Sequence, residues 1–303
     1  MSSSWDCIVI GGGAAGLSAA LVLGRARKRT LLVDAGHQCN LPASGIGGLL
    51  GHDGLPPSEL YAKGRKELER YPDVEVRAGE ATAAREGAAG FEVELEGGEA
   101  ETAKRILLAT GLDYGYPQIP GLEERWGRSV FHYPFCHGWE VSDRILGVLD
   151  AGASGPTRAL LLRGWSERLT LYANGPAQFE QADAERLVTA GIAVDEREVR
   201  EVRGQGDELA AIAFADGSEA PCEGLLVAPT LAQRSRLATD LGLRLSEDHP
   251  MVAGAIEVDS AYCTSVEHVF AAGDATGGMP SVANSVAGGS SAAAHIVHSL
   301  VQA

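Results

Sequence analysis

Residues 6–16 read Asp-Cys-Ile-Val-Ile-Gly-Gly-Gly-Ala-Ala-Gly, and residues 30–34 read Thr-Leu-Leu-Val-Asp. The apolar run Cys7 to Ile10 predicts a short buried strand, and Gly11-x-Gly13-x-x-Gly16 follows it directly. A helical stretch over Leu17 to Leu23 comes next, then a second strand from Thr30 to Val33 that ends on Asp34. Each part suits a dinucleotide. Gly11 permits the tight turn out of the strand, Gly13 lets backbone approach a pyrophosphate, and Gly16 allows helix and strand to pack closely. The helix N-terminus offers unpaired N–H groups to phosphate, and Asp34 is placed to accept hydrogen bonds from the adenosine ribose. Strand, glycines, helix, strand and acid in that order predict a dinucleotide-binding protein.

The rest of the chain narrows the class. At 303 residues there is room for two domains of ordinary size. A formal charge of −16 opposes nucleic acid or an anionic membrane as partner. No apolar stretch approaches the ~20 residues of a membrane span. The N-terminus, Met-Ser-Ser-Ser-Trp-Asp, has neither the charged nor the apolar region of a signal peptide, so a cytoplasmic location is expected. Cysteines 7, 39, 136, 222 and 263 are scattered without a CxxC pair, which suggests neither a disulfide framework nor a zinc site.

Strand and helix alternate through the first third, as a parallel sheet requires. Ser58 to Tyr71 predicts a helix with Tyr61, Leu68 and Tyr71 on one face. Val74 to Val76, Phe91 to Leu95 and Arg105 to Ala109 predict strands, with turns at Gly87 to Gly90 and Gly97-Gly98. A second βαβ-like unit starts near Arg144, with strands Ile145 to Leu149 and Arg168 to Tyr172 around a helix from Thr157 to Arg163. Gly224 to Ala228 closes it. Val269 to Asp274 then predicts a buried strand ending in an acid, and the small-residue run Ser281 to Val301 a closely packed terminal helix. The fold expected is α/β, with two Rossmann-like three-layer dinucleotide-binding domains, the second inserted in the first. Residues 1–115 and 248–303 form one, and 116–247 the other.

Gly11 to Gly16, Ala109-Thr110-Gly111 with Ile119-Pro120-Gly121, and Val269 to Asp274 together resemble the low-molecular-weight thioredoxin reductase group of FAD-dependent pyridine nucleotide–disulfide oxidoreductases. The similarity spans essentially the whole chain. It implies FAD as the first dinucleotide, an oxidoreductase activity and a homodimer. It places Gly11, Gly13, Ala14, Ala15, Gly16, Asp34, Ala35, Gln38, Cys39, Asn40, His52, Ala81, Ala109, Thr110, Gly111, Gly273, Asp274, Ser281, Val282 and Ala283 around that cofactor. Asp274 would hold a hydroxyl of the flavin side chain, and residues 36–52 would run beneath the isoalloxazine. The terminal helix would aim its N-terminus at the flavin pyrimidine edge, where it favours negative charge on reduced flavin.

Two departures from the group shape the functional expectation. Its redox-active CxxC falls at Tyr133-Pro134-Phe135-Cys136, where the first cysteine is Tyr133, so an internal disulfide of that motif cannot form. Its second glycine motif falls at Asp150-x-Gly152-x-x-Gly155, which sets a carboxylate where a pyrophosphate should pass. The stretch that grips the NADPH 2′-phosphate in the group is Ala173-Asn174-Gly175 here, without a cation. The missing cation argues against NADPH and leaves NADH or no nicotinamide, while the carboxylate opposes the pyrophosphate of either.

Three residues are candidates for chemistry. Cys136 reads as a flavin-proximal thiol, activated if His132 or His137 supplies positive charge, or as a space-filling cysteine. Cys39 reads as its non-adjacent redox partner or as an unrelated thiol. His52 reads as a general base beside the flavin or as a surface loop histidine. No metal is expected on His132, Cys136 and His137, because residues so close in sequence rarely converge on one ion.

The leading expectation is an FAD enzyme that oxidises or reduces a small molecule. The alternatives are an NAD(P)H-dependent reductase that serves a redox protein such as ferredoxin, and a non-catalytic flavin- or nucleotide-binding module.

Overall fold

The computed structural model describes residues 4–88, 90–249 and 251–302. Met1 to Ser3, part of the N-terminus expected to lack a signal peptide, and Ala89, within the expected turn from Gly87 to Gly90, lie outside them. The chain opens with β1 (Cys7–Ile10), α1 (Ala14–Arg25), β2 (Thr30–Asp34), α2 (Pro57–Leu68) and β3 (Val74–Ala78). A meander of β4 (Ala81–Gly87), β5 (Gly90–Leu95) and β6 (Ala100–Ala103) leads into β7 (Ile106–Leu108) and β8 (Leu112–Gly115).

The middle of the chain runs β9 (Val130–Phe131), α3 (Pro134–His137), β10 (Leu146–Leu149), α4 (Gly155–Leu162), β11 (Leu169–Tyr172), α5 (Gln181–Thr189) and β12 (Ala193–Asp195). A second meander, β13 (Val199–Gln205), β14 (Glu208–Phe214) and β15 (Glu219–Pro221), precedes β16 (Gly224–Val227). The last part holds β17 (Thr230–Gln233), α6 (Leu237–Asp240), β18 (Leu245–Ser246), β19 (Ala255–Ile256), β20 (Val269–Ala271) and α7 (Val282–Val301).

Among the described residues these strands form two five-stranded parallel sheets, ordered β20-β7-β1-β2-β3 and β12-β11-β10-β16-β9. Every residue of β1 and β2 is buried, so both faces of the first sheet are covered and the strands read as unbroken apolar runs. One face packs on α1, α2 and α7 through Val9, Leu32, Leu68 and Ile296. The other packs on the first meander through Phe91, Val93 and Leu95. The second sheet repeats this plan, with Ala159, Leu162 and Leu187 of α4 and α5 on one side and Val202, Ile212 and Phe214 of the second meander on the other. Each unit therefore has three layers, and the second is inserted between β7 and β20 of the first.

Helix α1 approaches α7 closely because both present small residues, Ala15, Ala19 and Ala20 against Gly289, Ala292 and Ala293, and a Cβ at Gly289 would strike the Ala15 carbonyl oxygen. Ser18 Oγ donates to the Val286 carbonyl at 2.8 Å and fixes the register of the crossing. The crossovers between units run through an antiparallel ribbon in which β8 pairs with β17. Leu237, Ala238 and Leu243 already lie in the core of the first unit. The chain thus re-enters that unit before residue 248, the boundary expected from its pattern. Helix α6 is one turn long, too short for its apolar spacing to declare itself.

Candidate active site: a dinucleotide cleft with a lone thiol

The C-terminal ends of β1, β2 and β7 open onto a cleft of about 1370 Å³, part of it open to solvent. Its lining runs from the Gly11–Ala15 turn and Asp34 to Asp274 and Ser281, a span that suits an extended dinucleotide. The turn after β1 explains how the chain makes room. Gly11 has φ of 109°, and a Cβ there would strike the Ala109 carbonyl oxygen. At Gly16 a Cβ would strike the Gly11 carbonyl, so only glycine lets α1 sit this close to the turn. Gly13 is the N-cap of α1 and provides no side-chain cap. Its first N–H groups are left for an anion.

Asp34, at the end of β2, is oriented by three donors. Its Oδ1 accepts from the Gly36 N–H and from Gln38 Nε2, each at 2.9 Å, and Oδ2 lies 3.3 Å from Arg65 Nη1. Asn40 is held by the Tyr61 hydroxyl, which donates to Asn40 Oδ1 at 2.7 Å. Across the cleft, Asp274 Oδ2 accepts from the Tyr114 hydroxyl at 3.1 Å and Oδ1 from Ser285 Oγ at 3.3 Å. Burial raises the Asp274 carboxyl above its ordinary value, although both hydrogen bonds and Arg234 pull the other way. Arg234 ties this wall together, donating to the Leu112 carbonyl at 2.9 Å, to Asp113 Oδ1 at 2.7 Å and to the His37 carbonyl. Helix α7 points its N-terminus at the same space, with Ser281 as N-cap accepting the Asn284 N–H at 3.1 Å.

Most of the expected cofactor residues meet at this cleft. Gly11, Gly13, Ala14, Ala15, Asp34, Ala35, Gln38, Cys39, Asn40, Ala81, Ala109, Thr110, Gly111, Gly273, Asp274, Ser281 and Val282 all line it. Gly16 stands behind the turn and acts through packing, and Ala283 is exposed on the first turn of α7. His52 is exposed on a glycine-flanked turn and is not among the residues that line the cleft. Of the segment 36–52, residues 37–40, 43 and 45–47 form the wall, and the chain turns outward after Gly47.

Cys136 lies on α3 with its backbone against Gly47, where a Cβ would press on the Cys136 carbonyl oxygen at 2.7 Å. No charge activates the thiol. Burial, with Asp274 and Glu140 adding to it, pushes it up to about 11. His132 lines the cleft, tilted on Tyr114 at 4.7 Å and stacked on Trp126 at 5.7 Å, and burial with His137 and Arg158 nearby lowers it to about 4. His137 stacks on Phe131 at 5.8 Å and is lowered by burial, which outweighs the opposing pull of Glu140. Both imidazoles are neutral at pH 7. Neither supplies the cation that an activated Cys136 requires. Cys39 also lines the cleft, but as an exposed thiol whose ionisation Asp274 opposes, and both thiols are free. Among the described residues no set of three or more His, Cys, Asp or Glu is arranged to hold a metal, and no helix is long and apolar enough to cross a membrane.

A thiol at about 11 has a definite reactivity. In the flavin-free chain, iodoacetamide should label Cys136 slowly at pH 7, where only about 10⁻⁴ is thiolate, and roughly tenfold faster per pH unit up to about 11. Peptide mass spectrometry after timed labelling measures this. Fast, pH-independent labelling near neutrality would contradict the uncharged environment.

The family model described as pyridine nucleotide-disulphide oxidoreductase matches residues 5–289. The chain belongs to that family. Among its relatives, thioredoxin reductase tcpT of Claviceps purpurea is 32% identical over 299 residues, covering 94% of this chain and 90% of that protein. An oxidoreductase from Agrobacterium tumefaciens superposes with a TM-score of 0.92 at 38% identity, covering 99% of both chains. The protein HlmI superposes with a TM-score of 0.93, also at 38% identity, covering 100% of this chain and 94% of its own. The chain is a thioredoxin reductase-like oxidoreductase of this family, with the group's two Rossmann units.

Tyr61, Tyr114, Arg234 and Ser285 went unread in the sequence as site residues. Each lies outside the glycine motifs, and only the fold brings its side chain to the cleft. Tyr61 reads in the sequence as part of an apolar helix face, and nothing in its spacing distinguishes its hydroxyl bond to Asn40.

Proposed function

We propose that the chain is an FAD-dependent oxidoreductase that exchanges electrons between its flavin and a small molecule, without an internal dithiol and with little or no use of NADPH. The observation that carries this reading is the cleft wall at α3. Tyr133 stands where the group has its first redox cysteine, and the remaining thiol, Cys136, is protonated at neutral pH. A disulfide relay therefore has no second sulfur in the motif, and access to the flavin is through the open cleft.

The residues fit FAD on physical grounds. The Gly11–Ala15 turn and the uncapped start of α1 would hold the pyrophosphate, and Asp34, already oriented by Gln38 and Gly36, would accept from the adenosine ribose. Asp274, positioned by Tyr114 and Ser285, would accept from a hydroxyl of the flavin side chain. The N-terminus of α7 would favour negative charge on the reduced ring. Bound there, FAD supplies the two-electron chemistry between substrate and oxygen or another acceptor, while the protein orients both and limits access.

A second reading, an NAD(P)H-dependent reductase serving a redox protein, draws support from relatives named thioredoxin reductase. An anaerobic titration of the yellow protein separates the two. NADPH and NADH should leave the flavin absorbance unchanged while dithionite bleaches it; rapid bleaching by either nucleotide would establish the reductase reading instead.

A further inference from the structure

The second Rossmann unit carries its own strand, turn and helix of phosphate-binding type, from β10 through Gly152 to α4. Its turn is filled from within. The Asp150 side chain, only 10% exposed, accepts the Gly152 N–H through Oδ1 at 2.9 Å. Its Oδ2 lies 3.0 Å from Arg158 Nε on α4, close enough for an ion pair but misaligned for a hydrogen bond, so neither atom has another partner. Gly155 is packed onto the Asp150 carbonyl, which holds the start of α4 against the turn. Behind it the loop after β11 folds back, and the Gln178 N–H donates to the Ala151 carbonyl at 2.8 Å.

A pyrophosphate in such a unit takes backbone N–H groups of the turn and the positive end of the helix. Here one turn N–H and the adjacent guanidinium are already engaged by a carboxylate of the chain itself. We propose that Asp150 is an internal anion occupying the diphosphate subsite, a single-residue lock that excludes nicotinamide dinucleotides from an otherwise intact fold. The guanidinium of Arg158 is the group a diphosphate would claim if Asp150 were removed. Bringing a diphosphate beside the retained carboxylate sets like charges together in a half-buried site, which opposes binding. This inference rests on the reading that the flavin is not reduced through NAD(P)H, and it names the residue responsible.

The test is calorimetric titration of the FAD-loaded full chain with NADH. Wild type should show weak or no saturable binding, and Asp150→Gly and Asp150→Asn should bind at least about tenfold more tightly. Asp150→Asn retains an acceptor for the Gly152 N–H and guards against a variant that fails to fold. Adding Arg158→Ala to Asp150→Gly should remove the gain. Equal affinity in wild type and both Asp150 variants overturns the lock. Anaerobic flavin absorbance on the same samples keeps the two readings apart. A wild type bleached by NADH defeats the proposed electron route, whereas an unbleached wild type beside variants of unchanged affinity defeats the lock alone.

Discussion

Gly16→Val should yield a colourless and destabilised protein. A side chain at residue 16 would overlap the Gly11 carbonyl oxygen, which is backbone and cannot rotate away. To relieve the overlap, α1 must lift from the turn or the turn must open. Either movement spoils the placement of the helix N-terminus that a pyrophosphate needs. Overpacking a tight core contact costs about 1–3 kcal/mol, and a backbone contact places this variant at or above the upper end. The same lift loosens the packing of α1 on α7, so the damage is not local to the turn. Flavin absorbance of the purified variant and a thermal melt measure the two effects together. A yellow protein with an unchanged melt would show that α1 is not held as closely as described.

Asp274→Leu is the second large effect. It leaves the Tyr114 hydroxyl and Ser285 Oγ without their acceptor and removes the carboxylate proposed to hold the flavin side chain. Hydrogen bonds to a charged group contribute about 1.5–3 kcal/mol, which corresponds to roughly a 10- to 100-fold loss of FAD affinity. Asp274→Asn, which keeps an acceptor oxygen, should lose far less. Affinity of the flavin-free proteins for added FAD, followed by fluorescence quenching, compares them.

The two forms of residue 274 also differ with pH. Burial holds the folded Asp274 carboxyl above the ordinary 3.8 of the unfolded chain. As pH rises past that value the unfolded state gives up its proton first, so the folded state loses relative stability until its own carboxyl ionises. In the flavin-free protein, urea unfolding should therefore show Asp274→Asn gaining on wild type as pH climbs from 4. A difference independent of pH would mean that Asp274 ionises normally in the fold.

These residues also mark what a sequence can disclose. Cys7 to Ile10, Gly11-x-Gly13-x-x-Gly16 and Thr30 to Asp34 were legible because a parallel strand buried on both faces must be continuously apolar, and a phosphate turn must be glycine-rich. The terminal helix was legible from its small residues, and α7 does pack closely, against α1. The strands β4 and β13 were not read. Ala81–Gly87 and Val199–Gln205 mix small and charged residues on half-exposed strands, where pairing rather than propensity makes the structure. At the cleft, His52 seemed well placed because its segment passes the site, but the glycines around it turn the chain outward after Gly47. Whether Cys136 was activated could not be read from His132 and His137 either. Their neutrality follows from burial against Tyr114, Trp126 and Phe131, which no local spacing records.

The threading of the first unit has a consequence for how the protein is made. Its sheet needs β20 beside β7, and its dinucleotide turn is braced by α7, yet both are synthesised after the whole inserted unit. Domains tend to fold as units while the chain emerges. The inserted unit can therefore reach its native form on the ribosome while β1, β2, β3 and β7 still lack an edge strand and a covering helix. If FAD occupies the cleft as proposed, its acquisition would then follow synthesis of α7, and a yellow colour would report that this helix has docked.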